Sequence, residues 1–438
     1  MPVQCRPGAR NFRPEAAVPD RKFKARAVQL LPLAALTIFL ACNIFDMGGE
    51  HHYKYIGFIL IVPVVLLGIP RVRFGLPEIV VGILLFLLWP LAGIGIGLEN
   101  DAKLGDAVQQ TTPFCGLFIG VLVAMVVRPR IILNCLYFIL LFMAFSVVVM
   151  TVCHFFHFGD AFVLQLPDYV SSHVDPYIGT FQRGELSDRI YFTATLWLVP
   201  VAIYFAQIRR YAFSICCLLG LVFAVSKAGA LIGLIGMVGT IALQYKRRSG
   251  EDSRLRRAGN RVRGVVLLLS GLVLASLVFP DFRYDVLEAF FGNDAAATRD
   301  TRFGHVRALI DMVRDKPSVM FVGEGAGTTF YSSETGQYGI RMESDHVDAI
   351  RQHGIFWSLA FFALCGLIAW KLTRAAEPET RATGWAFIGM FIAAGTNPQL
   401  ITPLFFFYFG CCYVLATYGD ELEGHAARHR GRSAPLSS

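Results

Sequence analysis

The chain has little charge for its length. Asp, Glu, Lys and Arg make up only 16% of its 438 residues, against 55% hydrophobic ones. A water-soluble domain needs more charge than this to cover its surface, so that class is excluded. Cysteine is nearly absent outside apolar segments. Cys42, Cys115, Cys135, Cys153, Cys216, Cys217, Cys365, Cys411 and Cys412 all fall inside apolar runs, which leaves no basis for a disulfide framework or a zinc site in the longer loops. Cys153, His154 and His157 lie close together but lack the carboxylate or second thiolate that would complete a metal site. There is no Asp-x-Asp pair, so the sequence requires no divalent metal, and no cofactor is expected. No cleavage site follows the first apolar run, so the basic residues Arg6, Arg10, Arg13, Arg21, Lys22, Lys24 and Arg26 read as a retained cytoplasmic arm. The net charge of +8 does not imply nucleic acid, because the basic residues gather in short links and tails, as membrane topology demands.

What is present is a series of apolar runs. A spanning helix needs about 20 apolar residues, and the candidates are 28–45, 55–69, 75–97, 110–127, 131–153, 191–208, 211–226, 228–245, 264–280, 354–370, 383–396 and 400–418. The fold class is therefore an all-α polytopic membrane protein with about twelve transmembrane helices. Its expected parts are an arm (1–27), an N-terminal helical block (28–153), a loop (154–190), a central helical block (191–280), a long loop (281–353), a C-terminal helical block (354–418) and a tail (419–438). Lys and Arg crowd the links at Arg71/Arg73, Arg128/Arg130, Arg209/Arg210, Lys246 to Arg263 and Lys371 to Arg381. The alternate links hold only Lys54, Lys103, Arg183, Arg189 and Lys227. This asymmetry predicts cytoplasmic N- and C-termini and places both long loops outside, where neither ATP nor nucleotide sugars are at hand.

Residues 211–245 form an apolar run broken only by Ser226 and Lys227. As one helix it would be about 52 Å long, far more than a hydrocarbon core of about 30 Å. With basic residues at both ends, the run predicts a hairpin with Lys227 at its outer tip and Gly229 easing the turn. Lys227 there is either a lysine snorkelling to the interface or a cation held out for an anionic ligand.

The stretch from Asp281 to His353 is the longest polar insert, and such inserts between spans carry function more often than they fill space. It holds Arg302 and Arg314, a Gly-rich turn at Gly323 to Gly327, and the cluster Glu343, Asp345 and His346. The turn lacks the Lys-Ser/Thr tail of a nucleotide loop, so it reads either as a phosphate cradle or as a tight packing turn. If a helix begins at residue 343, Glu343 and His346 share a face at i and i+3, and the carboxylate can orient the imidazole. The loop 154–190 adds Arg183 and Arg189 beside Tyr169 and Tyr177, a composition that suits either a cleft for a sugar chain or a lid.

Three segments resemble the O-antigen ligase and O-antigen polymerase superfamily of bacterial membrane glycosyltransferases. They are Val225-Ser226-Lys227-Ala228-Gly229-Ala230-Leu231; Thr301-Arg302 with Pro317, Gly323-Glu324-Gly325-Ala326-Gly327 and Phe330; and Ser344-Asp345-His346 followed by Gly354-Ile355. Where the family usually has Arg, Trp and Asn, this chain has Lys227, the stretch Gly304-His305-Val306, and Val347. Lysine is a point charge without the fork of arginine, so a phosphate contact at 227 is less directional.

The resemblance implies a C-type glycosyltransferase-like fold and a glycan donor on a polyprenyl (undecaprenyl) diphosphate. The acceptor is then a second lipid-linked oligosaccharide, in a repeat-unit polymerase, or the lipid A core, in an O-antigen ligase. It further implies the bacterial inner membrane as the location and a chain-length regulator as a further partner. Departure of a diphosphate builds negative charge that fixed cations must meet, for which Lys227, Arg302 and Arg314 are the candidates. His346, with Glu343 and Arg302, is the catalytic candidate, taking the proton of the attacking hydroxyl. Arg183, Arg189 and Asp345 are the glycan-binding candidates. A lipid-linked oligosaccharide flippase is the alternative from another class. It is disfavoured because the spans are nearly free of charge and no internal repeat is visible.

Overall fold

The computed structural model describes residues 21–45, 53–72, 74–155, 158, 179–183, 187–191, 193–224, 226–246, 293–332 and 336–431. The expected span 264–280, the start of the N-terminal arm, most of loop 154–190 and the first part of the 281–353 insert lie outside the described residues.

The described chain is mostly helical. In order it forms α1 (Arg21–Phe45), α2 (Tyr53–Gly68), α3 (Leu76–Glu99), α4 (Leu104–Val126), α5 (Pro129–Phe155), the hairpin β1–β2 (Gly179–Arg183 and Ser187–Tyr191), then α6 (Leu198–Gln207), entered through the 3-10 turn Thr193–Trp197. It continues with α7 (Tyr211–Phe223), α8 (Lys227–Lys246), α9 (Asn293–Asp315), α10 (Ser318–Val322), the hairpin β3–β4 (Phe330–Ser332 and Gln337–Gly339), α11 (Asp345–Arg374), α12 (Pro378–Ala393) and α13 (Pro403–Gly431).

Among the described residues, four helices are long and apolar enough to cross a membrane: Leu76–Glu99, Leu104–Val126, Pro129–Cys153 and Asp345–Arg374. Six shorter apolar helices accompany them, so this is an all-α membrane protein, but the expected twelve full spans are not what the described residues show. The reason is length. The expected span at 383–396 is the 16-residue α12, which rises about 24 Å and falls short of a core of about 30 Å.

The hairpin in the 211–245 run is present. The helix breaks after Phe223 and resumes at Lys227. Glycines of α8 meet α7 in antiparallel order, Gly229 against Leu221 and Gly233 against Leu218. The polar insert, by contrast, is not the loop that the sequence predicts. Arg302 lies within the 23-residue helix α9, and α9, α10 and β3–β4 form a small folded layer.

Close helix packing explains the order of the bundle. In α4, Gly116 and Gly120 present bare backbone to the Pro403 and Phe407 carbonyls of α13, and Gly410 returns the contact to Leu117. Small residues spaced by four let two apolar helices approach where no hydrophobic force drives them together. A Cβ at Gly120 would lie well inside van der Waals contact distance of the Phe407 carbonyl oxygen. Gly120→Ala is therefore expected to cost about 2 kcal/mol, read as a lower unfolding midpoint in detergent. An unchanged midpoint would mean that the two helices are not packed this way.

Around this contact lies an aromatic core: Phe86, Phe114, Phe361, Phe387, Phe405, Phe406 and Phe409, with Trp357 stacked on Phe361 at 5.0 Å. In α3, Leu84–Leu88 form a π turn just before Pro90. Proline has no N–H to give to the preceding turn, so the backbone loosens there. The Trp357 indole N–H donates to the Leu85 carbonyl at 2.8 Å.

The helices run up and down, and the two ends differ. At one end Arg130 pairs with Glu377 and Thr380, and Tyr418 donates to Glu78. The basic links around Arg71, Arg209/Arg210 and Lys371 to Arg381 fall at this end, by the alternation of the helices. At the other end lie the start of α8, the 3-10 turn before α6, the 394–402 link, and the α9–β4 layer.

Candidate functional site

The first turns of α11, residues 345–353, stand apart from the rest of that helix because Gly354 breaks it with φ +76°. This break lets α10 pass underneath: a Cβ at Gly354 would collide with the Phe321 carbonyl, and one at Gly323 (φ +82°) with that of Gln352. Only glycine takes both this conformation and this closeness.

Arg351 is fully buried here. Its Nε donates to Asp348 Oδ1 at 2.8 Å, its Nη1 to Glu324 Oε2 at 3.3 Å and to Thr328 Oγ1 at 2.9 Å, and its Nη2 to the Ile340 carbonyl at 2.8 Å. The Phe330 ring lies 5.3 Å from the guanidinium. Asp348 is also buried and accepts a second bond from Gln352 Nε2 at 2.7 Å. One guanidinium thus ties α11, the Gly-rich turn and the β3–β4 hairpin together. A buried charge is tolerated only when paired and hydrogen-bonded in this way.

The Gly-rich turn is a packing turn rather than a phosphate cradle. Glu324 N donates to the Arg351 carbonyl at 2.7 Å, Gly325 N to that of Gln352 at 3.2 Å, Ala326 N to that of Gly93 at 2.9 Å, and Gly327 N to Gln110 Oε1 at 2.7 Å. A cradle needs amides that point at the anion, and these four are already used, two to seat the turn on α11 and two to seat it on α3 and α4.

Arg302 faces the other way, toward the surface. Its Nε donates to Glu343 Oε2 at 3.0 Å and its Nη2 to the Thr396 carbonyl at 2.8 Å. Its Nη1 has no partner among the described residues. The two side chains are 38% and 33% exposed, so the pair is neither sealed in the core nor loose in solvent. Glu343 is held from behind as well: its backbone N–H donates to His305 Nδ1 at 3.1 Å, and the His305 ring sits edge-on to Phe330 at 5.0 Å.

The expected pairing of Glu343 with His346 is corrected. Helix α11 begins at Asp345 with Ser344 as its cap, so Glu343 precedes the helix and its carboxylate turns to Arg302. The His346 ring lies between Phe362 at 5.3 Å and Phe391 at 4.7 Å, and its Nε2 is buried with no hydrogen-bond partner. Glu343, turned to Arg302, therefore does not orient this imidazole.

Asp345 is fully buried and accepts the Leu400 backbone N–H. It anchors the 394–402 link that also supplies Thr396 to Arg302, so it supports the site from within rather than facing a sugar. Arg341 donates to the Ile401 carbonyl of the same link.

Lys227 opens α8 at this end of the bundle. Gly229, half a turn on, lies against Leu196, and neighbouring Trp197 donates its indole N–H to Gln399 Oε1 at 3.1 Å, in the link that bonds Arg302 and Asp345. Arg314 is not brought to Arg302. It is exposed, twelve residues further along α9, which is about 18 Å of rise and a third of a turn. Arg183 and Arg189 belong to the β1–β2 hairpin, opposite Ser187 and Phe181, and their side chains lie outside the described residues.

Sequence reading missed Arg351 and Glu324 as parts of this construction. The signal for one of them was in view: Asp348 and Arg351 stand at i and i+3, a spacing at which opposite charges pair on a helix.

No protein-family model matches the chain, and no curated protein matches it. The site itself therefore carries the functional argument. It offers a guanidinium fixed on two sides with a third N–H group open, and a carboxylate beside it. Such a set can receive a phosphate oxygen and can accept a proton next to it.

Proposed function

We propose that this chain is a membrane glycosyltransferase that polymerises polysaccharide repeat units, taking a growing glycan from a polyprenyl diphosphate and joining it to a hydroxyl of the next lipid-linked unit. The observation that carries the reading is the posture of Arg302, pre-set by Glu343 and the Thr396 carbonyl with Nη1 open. Fixed donors aimed at a developing charge need not reorganise as the charge forms.

In the proposed step the bond between C1 of the donor sugar and the diphosphate oxygen breaks, and the electron pair leaves with the diphosphate. The acceptor hydroxyl oxygen forms the new bond to C1, and its proton passes to Glu343. Arg302 meets the departing charge, and Lys227 is the second cation offered to it. Once the diphosphate draws on Arg302, Glu343 loses part of its ion pair and becomes a better base. The basic links at the opposite end support a reaction on the outer face of the bacterial inner membrane.

The test uses the purified full-length protein in proteoliposomes with a polyprenyl-diphosphate-linked oligosaccharide. A ladder of longer glycans with release of polyprenyl diphosphate is expected. Glu343→Gln is expected to slow it by about a hundredfold without lowering the unfolding midpoint. If donor is consumed only when lipid A core is added, the chain is an O-antigen ligase instead. If it is consumed under neither condition, the glycosyltransferase reading is lost.

A further inference from the structure

Helix α9 has an apolar stripe that is left exposed among the described residues. Phe303 and Ile310 are each 60% exposed and Val306 is 39% exposed. On a helix of 3.6 residues per turn these three fall within about 60° of one another. The opposite face is the one that packs, with His305 and Ala308 buried and Leu309 and Met312 set against Phe330 and Met342. The stripe is therefore additional to the face that holds α9 on the molecule.

Its borders are basic. Arg302 lies along one edge, and Arg307 and Arg314 along the other. The acidic residues Asp300 and Asp311 come only beyond Arg307 and Arg314, further round the helix. A contiguous apolar face rimmed by arginines is the pattern of a helix lying in a membrane interface, with side chains in the acyl boundary and guanidinium groups at phosphate level.

The surroundings point to the same occupant. The turn α10 packs against both α9 and α11, and it exposes Phe321 (51%) and Val322 (40%). Phe321 stacks on Phe356 at 5.7 Å, and Phe356 and Leu359 are exposed on α11, which is long and apolar enough to cross the bilayer. The stripe thus belongs to an element that adjoins the lipid-facing wall of a span. Exposed apolar side chains that adjoin one another in this way mark a contact with a membrane or a partner.

From this we infer that α9 lies in the headgroup layer of the bilayer that holds the protein, its Phe303–Val306–Ile310 face in the acyl boundary and Arg307 and Arg314 on anionic phospholipid phosphates. This gives Arg314 a role that its distance from Arg302 denies it in the site. It also sets the depth of Arg302, on the other edge of the stripe, at phosphate level. The inference does not depend on the glycosyltransferase reading.

The experiment reconstitutes the full-length protein in bilayers of phosphatidylcholine and phosphatidylglycerol whose acyl chains are brominated, and measures tryptophan quenching. Phe303→Trp and Ile310→Trp report on the stripe, and Asp311→Trp, on the same helix but its solvent side, is the control. Quenching of the added indole about twofold stronger in the stripe than at 311 is expected. Arg307→Gln with Arg314→Gln is expected to reduce it, most in bilayers rich in phosphatidylglycerol. Stripe indoles quenched no more than Asp311→Trp would overturn the inference, whether their emission showed water or a covering protein surface such as a second copy. Unchanged unfolding midpoints in the three tryptophan variants exclude misfolding as the cause. Absence of glycan transfer by the parent protein, with quenching in the stripe as expected, would count against the enzyme reading alone.

Discussion

Replacing Arg302 with alanine is expected to slow glycan transfer by about a hundredfold or more, the usual cost of removing one pre-set donor from a developing anion, while the protein remains folded. The two halves of this prediction have separate grounds. Arg302 and Glu343 are about one third exposed, and ion pairs so open to solvent add only about 0–1 kcal/mol to stability. The catalytic loss comes from Nη1, which makes no hydrogen bond among the described residues, and from the orientation that Glu343 and Thr396 impose on it. Arg302→Lys should recover little, because an ammonium cannot hold Glu343 and the Thr396 carbonyl while presenting a further N–H in a fixed plane. Initial rates in proteoliposomes, with unfolding midpoints measured alongside, check both halves. A normal rate in Arg302→Ala would remove Arg302 from the mechanism. A collapsed midpoint would make it a structural residue.

Arg351 should behave in the opposite way. Arg351→Met is expected to cost about 3–5 kcal/mol of stability, the penalty for leaving a buried carboxylate without its cation. Among the described residues Asp348 then keeps the Gln352 bond, the Ile340 carbonyl loses the donor that Arg351 supplies, and Glu324 and Thr328 lose their side-chain tie to α11. Limited proteolysis between Gly323 and Arg341 should accelerate before the bundle itself unfolds, because that segment is held to the helices through this guanidinium. Adding Asp348→Asn should restore part of the loss, since it removes the orphaned charge. If Arg351→Met unfolds at the same midpoint as the parent, the buried network is not what holds this layer. A transfer rate that fell in proportion to folded protein would keep Arg351 outside the chemistry.

Some of this architecture was legible in the residues. The apolar runs and the scarcity of charge dictate helices in a bilayer, because runs of this length satisfy their own backbone there only as helices. The split of residues 211–245 followed from length alone, as a single helix would overshoot the membrane. The collection of Arg71, Arg128/Arg130, Arg209/Arg210 and Lys371 to Arg381 at one end followed from the alternation of short links. In the insert, the period of α9 was hidden. Its buried face is formed by a histidine, an alanine, a leucine and a methionine, and its most apolar side chains point outward, which blurs the usual contrast between inner and outer faces.

What the sequence determined by itself is therefore the solvent this chain lives in, the run of its helices and the end at which its polar residues gather. These follow from composition and length, which act locally along the chain. Only the tertiary structure decided that Glu343 serves Arg302 rather than His346, that the Gly-rich turn uses its amides for packing, and that Arg351 is a buried tie. Each of those outcomes depends on a partner far away in sequence: Thr396 for Arg302, Gly93 for Ala326, Glu324 and Ile340 for Arg351. A side chain's charge is written at its own position, but the group that satisfies it is chosen by how the helices meet.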